Sequence, residues 1–390
     1  DETLAKEIPS DITIIRRPIW EPFSLYKQFT GKKKEEKMHV AHIHNAKQFG
    51  KKSWKERLAI WVRGNFFIPD ARCFWIRPSV NFLSQYLKEH PVDAIVSTGP
   101  PHSMHLIALG VKKRLGIPWL ADFRDPWREY FEALDLSQWA RRKHEKLENE
   151  VLTSADAVTV VGRKMKEDHH AIAGIDSVVI YNGFDPADFE TVKEVKTSDD
   201  KFLITHSGNF SARRNLPEFW RALRKFMNDT PAFAEKLELR LMGTRDESIT
   251  TSLKENDLEK YAPELGYVKH DKVVYELKRA TVLLLFVDRF VGSKWILTGK
   301  LPEYLAANRP ILNIGPLDGD LAQEIELSKA GINVPYDDEK AIYQALAYFW
   351  EKFQAGGLHQ HQTQDFSRFS RVDLAGKMAD LLTKISTPKG

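Results

Sequence analysis

Cysteine is almost absent: Cys73 is the only one in 390 residues. A lone thiol excludes an internal disulfide and a cysteine-ligated zinc site, and it fits a reducing compartment, so the expected location is the cytoplasm. Long apolar runs are missing too. The longest, Ala280 to Val287, is interrupted by Thr281 and falls far short of the roughly 20 residues that a membrane-spanning helix needs. No transmembrane helix is therefore expected. The opening residues, Asp1 to Ser10, hold no apolar stretch of the signal-peptide kind. Charge of one sign is not in large excess, since 58 Lys and Arg oppose 54 Asp and Glu, a net of +4. That balance does not by itself call for nucleic acid, and no such partner is expected. Neither a repeat period nor a low-complexity tract is found.

What is present is the composition of a soluble globular protein, 42% apolar and 29% charged. The length suggests two domains, because one core serves roughly 150 residues. From Val92 onward, short apolar runs alternate with longer amphipathic stretches, the rhythm of strand-helix units. Strands are predicted at 93–97, 117–121, 156–160 and 177–181, with helices at 102–115 and 137–153. After Asn182-Gly183-Phe184-Asp185, the polar stretch 186–200 reads as a linker. The rhythm then restarts. Strands are predicted at 202–206, 237–242, 282–287 and 311–314, and helices at 216–227, 273–279, 301–307, 321–329 and 339–353. The expected fold is α/β, with two doubly wound Rossmann-like domains, 1–185 and 201–364, facing across a cleft; 365–390 is expected to be a helix packing back on the first domain. Ligands of such sheets lie beyond the carboxyl ends of the strands.

Two loops in the second half have the chemistry to hold an anion. In Thr205-His206-Ser207-Gly208-Asn209-Phe210-Ser211-Ala212-Arg213-Arg214, a strand ends in Ser-Gly and two arginines follow before a helix begins. Glycine lets backbone amides approach an anion, and arginine matches phosphate geometry with two parallel donors. The alternative is an ordinary strand-helix turn with solvated arginines. In Leu297-Thr298-Gly299-Lys300-Leu301-Pro302-Glu303, the residues Thr298 and Gly299 precede a short helix whose amino end can take a second anion. Glu303, on its first turn, can accept hydrogen bonds from a ribose diol, or it can simply offset the helix dipole.

These loops belong to an ordered series. In the first half stand Ser97-Thr98-Gly99-Pro100-Pro101-His102-Ser103, Asp122-Phe123-Arg124-Asp125-Pro126-Trp127 and Asn182-Gly183-Phe184-Asp185; in the second stand the Gly208 loop, Leu239-Arg240-Leu241-Met242-Gly243, Leu265-Gly266-Tyr267-Val268 and Lys300 to Pro310. In that order they resemble the retaining GT-B glycosyltransferases of sequence family 4 over nearly the whole chain. The resemblance implies a sugar transferred, with retention, from a nucleotide-diphosphate donor of uridine or guanosine type to a glycan or lipid-linked acceptor, as in polysaccharide biosynthesis. It puts Gly208, Arg213 and Arg214 on the donor diphosphate, Tyr267 and Val268 by the base, Thr298, Gly299 and Lys300 on the phosphates, and Glu303 on the ribose. The sequence departs from the family in two places. Trp295 stands where the paired-glutamate motif has its first glutamate, and Asp1 to Ser10 shows neither the usual opening strand nor its glycine-rich turn, so that first strand is expected to be missing.

Such a transfer needs its leaving group's growing negative charge stabilised, by a metal or by fixed donors. The expectation is no metal and no cofactor. Asp318-Gly319-Asp320 is read as a helix cap rather than a metal ligand pair. In the first half, His102 is a candidate to orient the sugar or accept a proton, and Asp125 to act as base or acceptor anchor, with Asp122 beside it and Arg124 steering either. A salt-bridged structural loop is the alternative. His39, His42, His44, His359 and His361 are read as surface residues. Between Lys51 and Arg63 five basic residues oppose one acid, a local charge of +4, with Trp54, Leu58 and Trp61 at helical spacing. That segment suits a peripheral contact with an anionic membrane, or else plain core packing with its cations turned outward. A nucleotide-sugar epimerase of the same fold and a non-catalytic nucleotide-binding scaffold are the rival readings.

Overall fold

Parallel strands buried on both faces need helices on both sides, and this chain supplies them in alternation. The computed structural model describes residues 8–19, 54–128, 135–192, 195 and 200–387. The chain divides into two compact units, Asp1–Val158 with Ile385–Gly390, and Thr159–Lys384.

The described helices of the first unit begin with α1 (Trp54–Phe66) and α2 (Cys73–Glu89), followed by β1 (Ile95–Gly99), α3 (Ser103–Leu115), β2 (Trp119–Phe123) and α4 (Gln138–Ser154). β1 and β2 pair in parallel, Ile95 opposite Trp119 and Gly99 opposite Phe123. α4 is capped by Ser137, whose hydroxyl accepts from the Ala140 amide. The unit boundary falls inside β3 (Ala157–Val160), which leads to α5 (Arg163–Ala173) and β4 (Val178–Val179). The strand order of this sheet is β1-β2-β3-β4.

The second sheet holds β5 (Phe202–Ser207), β6 (Leu237–Met242), β7 (Val282–Phe286), β8 (Ile311–Ile314) and β9 (Gly331–Val334), all parallel, in the order β6-β5-β7-β8-β9. Around it lie α6 (Pro186–Glu190), α7 (Pro217–Asp229), α8 (Pro231–Lys236), α9 (Glu247–Glu255), α10 (His270–Arg279), α11 (Lys300–Ala306), α12 (Asp320–Leu327), α13 (Glu339–Gln354) and α14 (Arg371–Ser386). Along β7, alternate residues enter opposite cores, as the two-residue period of a strand requires. Val282, Leu284 and Phe286 join Phe219, Leu223, Leu253 and Phe349 from α7, α9 and α13. Leu283 and Leu285 join Leu277, Leu301, Leu305 and Ile325 from α10, α11 and α12. The chain runs from β5 outward to β6 and returns past β5 to β7. The reversal lies between β5 and β7, and the carboxyl ends of these strands are where sheets of this kind form a ligand crevice.

Two differences from the sequence reading have local causes. The stretch 186–200 is not all linker, because Asp185 caps α6 by accepting from Ala187 and Pro186 starts it. His270 Nε2 lies 2.9 Å from Asp188, and Lys278 Nζ donates to the Phe189 carbonyl at 3.1 Å, so α6 is held by side chains. β9, α2, α5 and α9 also form without having been foreseen; α9, with Thr250, Thr251, Ser248 and Ser252, has weak helix propensity and is fixed by burial of Ile249 and Leu253. A helix forms within 365–390, and the start of α14 is joined to the Phe184 backbone, which donates to Phe369 at 3.0 Å and accepts from Arg371 at 2.9 Å.

Candidate functional site

The crevice side of the second sheet is shaped by glycine. Gly208 follows β5 with φ 100° and Gly243 follows β6 with φ 111°, both in the region where a side chain is strained. The two turns touch: a Cβ on Gly243 would lie 2.6 Å from the Gly208 carbonyl oxygen. A Cβ on Gly208 would lie 2.6 Å from Lys300 Cε and 3.2 Å from its Nζ. The Lys300 ammonium therefore stands against the backbone of the Gly208 turn. Burial, with Arg214 nearby, pulls its pKa down to about 8. Tyr304, one turn further along α11, accepts from the Ser207 amide at 2.9 Å and so fixes α11 to the end of β5.

Arg214 closes the other side. Its Nε donates to Asp288 at 2.6 Å and a terminal nitrogen donates to the Asn209 carbonyl at 2.9 Å. Asp288 lies just past β7, so this pair spans the two strands that flank the reversal. Arg213 is 5.9 Å from the Phe290 ring centroid, and its carbonyl receives the Arg289 amide at 3.5 Å. Gly299 caps α11 and faces open space where a Cβ would be. Thr298 Oγ1 accepts from the Lys300 amide at 3.4 Å. Glu303 is half-buried; burial raises its carboxyl pKa, while His270, Arg371 and Lys300 oppose the rise. Tyr267, 84% exposed, and Val268 follow Gly266, whose carbonyl receives the Gly243 amide. Lys300, beside the Gly208 turn, is thus electrostatically connected to Arg214, Asp288 and Glu303.

Sequence reasoning missed Asp288, Tyr304, the Asp188–His270 pair and Arg371 as neighbours of this group. The signal for Asp288 was its place directly after the apolar run 282–287. Trp295 lies in the 3-10 turn Val291–Trp295 with its ring on Gly292, where a Cβ would be 2.8 Å from the ring.

The first-half candidates gather at the carboxyl ends of β1 and β2. Thr98 donates to Asp122 at 2.9 Å, Arg124 pairs with Asp122 at 3.5 Å, and the Arg124 amide donates to the Gly99 carbonyl at 2.9 Å. His102 is buried, 3% exposed, and stacks on Trp127 at 4.6 Å. Asp125 sits at the surface, where lost hydration pushes its carboxyl pKa upward against the pull of Arg124. The Ser103 amide and hydroxyl at the start of α3 both donate to Asp70, at 2.8 and 2.7 Å.

The Asp318–Asp320 reading is corrected. Neither aspartate caps α12, whose N-cap is Gly319. Asp318 pairs with Lys294, and the Asp320 carboxylate accepts from the Lys164 amide at 3.1 Å, capping α5 from a distant part of the chain. His361 is no free surface histidine either, since burial lowers its pKa and Nε2 lies 3.4 Å from Thr363 Oγ1. His39, His42, His44, Lys51 and Lys52 lie outside the described residues.

Residues 49–188 match the family model Glycosyltransferase Family 4. The two parallel Rossmann-like sheets match the fold of GT-B glycosyltransferase structures. Sucrose-phosphate synthase of Thermosynechococcus elongatus superposes with a TM-score of 0.57 at 16% identity, covering 80% of this chain and 78% of that one. HepE of Anabaena in complex with UDP gives 0.57 at 16% identity over 79% and 82%. A glycosyltransferase of Rickettsia africae gives 0.58 at 13% identity over 80% and 82%. No curated protein sequence matches the chain. The family match covers the first-half motifs, whereas the group of Lys300, Arg214 and Glu303 lies beyond it in the second sheet.

Proposed function

We propose that this glycosyltransferase-type protein moves a sugar from a nucleoside-diphosphate donor to a glycan or lipid-linked acceptor, with retention and without a metal ion. The observation that carries the reading is the convergence of Lys300, against Gly208, and Arg214, on the Asn209 carbonyl, at one turn beside the strand reversal where such sheets hold ligands. HepE, whose fold this chain shares, has been seen with UDP and with UDP-glucose, which favours a uridine donor. In this reading Lys300 and Arg214 meet the diphosphate beside the Gly208 turn, whose own amide is engaged by the Met242 carbonyl, with Arg213 outside them. Thr298 and Gly299 offer the amino end of α11, Glu303 accepts from the ribose, and Tyr267 and Val268 flank the base.

Departure of the nucleoside diphosphate leaves negative charge on its terminal phosphate. A fixed ammonium and guanidinium stabilise that charge without reorganisation at the moment of bond breaking. Lys300 is suited to this role because its charge is half-buried and costly when unpaired, so an incoming phosphate gains more from it than from a solvated lysine. On the first-half side, Asp125 serves as base or acceptor anchor with Arg124 beside it. Asp122 holds Arg124, and His102 shapes the β1 turn. Trp295 stands where the family motif has its first glutamate, so either another residue meets the sugar's far hydroxyls or the donor sugar differs.

The test is a thermal-shift screen of UDP, GDP, ADP and CMP followed by transfer assays with the matching sugar donor. Selective stabilisation by one nucleoside diphosphate, undiminished by a chelator, is expected. Stabilisation by none of them would refute the donor site. Conversion of the donor with no acceptor present would favour an epimerase.

A further inference from the structure

Tryptophan has two fates in this protein. Trp119, Trp127 and Trp220 are buried, whereas Trp54, Trp61 and Trp139 are 68%, 39% and 56% exposed and Phe66 is 61% exposed. The exposed rings come from α1 and α4, which are far apart in sequence. Asn65 brings those helices together. Its side chain donates to the Trp61 carbonyl at 2.9 Å and the Asp135 carbonyl at 3.1 Å, and it accepts from the Ser137 amide at 2.7 Å. The Phe66 ring consequently lies 5.9 Å from Trp61 and 6.4 Å from Trp139.

Cations accompany the rings. Trp54, Leu58 and Trp61 share one face of α1 by their spacing, and Arg57 is exposed beside them. On α4, Trp139, Lys143 and Lys146 share a face opposite the buried Ala140, His144 and Glu148, and Lys143 Nζ stands 4.9 Å from the Trp139 ring centroid. Arg141, Arg142, Lys143 and Lys146 are all exposed, against the single acid Glu145 within 138–146. Clustered exposed rings mark an interaction surface. Tryptophan favours the boundary between lipid headgroups and acyl chains, and a basic setting matches anionic lipid.

We propose that the exposed aromatic and basic surface made by α1 and α4 docks this protein on an anionic lipid bilayer, with Trp61, Phe66 and Trp139 at the headgroup boundary and Lys143 and its basic neighbours on the lipid phosphates. Charge selects this occupant, because a second copy would present the same positive surface to its partner. The surface extends the basic segment that ends at Arg63 by adding Trp139 and Lys143 from another element. It stands on the first unit alone and is independent of the donor site.

The experiment is flotation of the full chain with phosphatidylcholine vesicles and with an equal mixture of phosphatidylcholine and phosphatidylglycerol. Binding to the mixed vesicles, released by salt, is expected. Each basic residue near such a surface is worth roughly a fivefold change in partition, so Lys143→Glu should weaken binding about tenfold or more. Trp139→Ser should weaken it several-fold, and Arg142→Glu provides a second charge reversal should either variant misfold. Nucleotide-induced stabilisation, measured on the same samples, should be unchanged in all three, so the two readings fail separately. Equal partition to both vesicle types, or variants that float like the parent, would overturn the proposal. So would self-association abolished by Trp139→Ser in a protein that does not bind vesicles.

Discussion

Lys300 is held under two opposed demands. Its ammonium is buried beside Arg214, which pulls the pKa from 10.5 to about 8, and the same burial makes it receptive to phosphate. Because the unfolded chain holds that proton more tightly, the stability cost is fully present below about pH 8 and is relieved as pH rises toward 10.5. Lys300→Met should therefore raise the Tm of the free protein by about 2–4 °C at neutral pH, while lowering nucleoside-diphosphate affinity at least tenfold. Calorimetry and titration on one sample check both, and a variant that lost stability together with affinity would contradict the account. In the parent, affinity should decline above about pH 8 as Lys300 loses its proton, and that decline should be missing from the methionine variant. Glu303→Ala should weaken the nucleotide several-fold. An unchanged affinity would show that the ribose is held elsewhere.

Among the elements, the end of β5 before the Gly208 turn is tied to α11 by a buried hydroxyl. Tyr304 accepts from the Ser207 amide, so Tyr304→Phe leaves a buried amide without its partner and should cost about 1–3 kcal/mol in denaturant unfolding. A second dependence joins α5 to α12. Asp320 caps α5 through Lys164, and burial raises its pKa from 3.8 to about 6. The folded state then holds the proton more tightly, so stability falls as pH rises through that window and stays lower above it. Asp320→Asn keeps an acceptor for Lys164 and removes the charge. Its Tm should gain on the parent between pH 4 and 6 and hold that gain at pH 7; a difference independent of pH would count against the raised pKa. Next to it, Glu324 is buried and meets Arg163 at 3.2 Å, Tyr181 at 2.9 Å and Arg368. Glu324→Leu leaves two arginines without their buried carboxylate and should cost roughly 3–5 kcal/mol.

At the scale of the molecule, the two sheets were legible before any coordinates, because apolar runs such as 282–287 and the amphipathic stretches between them report burial directly. β6 and β8 have the bounds read from the sequence, and β5 and β7 differ by one residue at the end. Short or weakly patterned elements such as β9 and α9 were not legible. Their identity rests on neighbours that a single window cannot see. The Gly208 and Lys300 loops showed themselves through glycine, arginine and the Lys300–Glu303 spacing, since backbone freedom and charge are properties of individual residues. What the sequence determined was therefore the alternation of elements, the glycines that turn β5 and β6 outward, and the inventory of cations. Which cation meets Gly208, which arginine is held by Asp288, which helix Asp320 caps and which rings join across α1 and α4 were decided only by the fold. Each is a contact between groups remote in the chain, and its geometry follows from how sheets and helices pack, which no single stretch of residues shows.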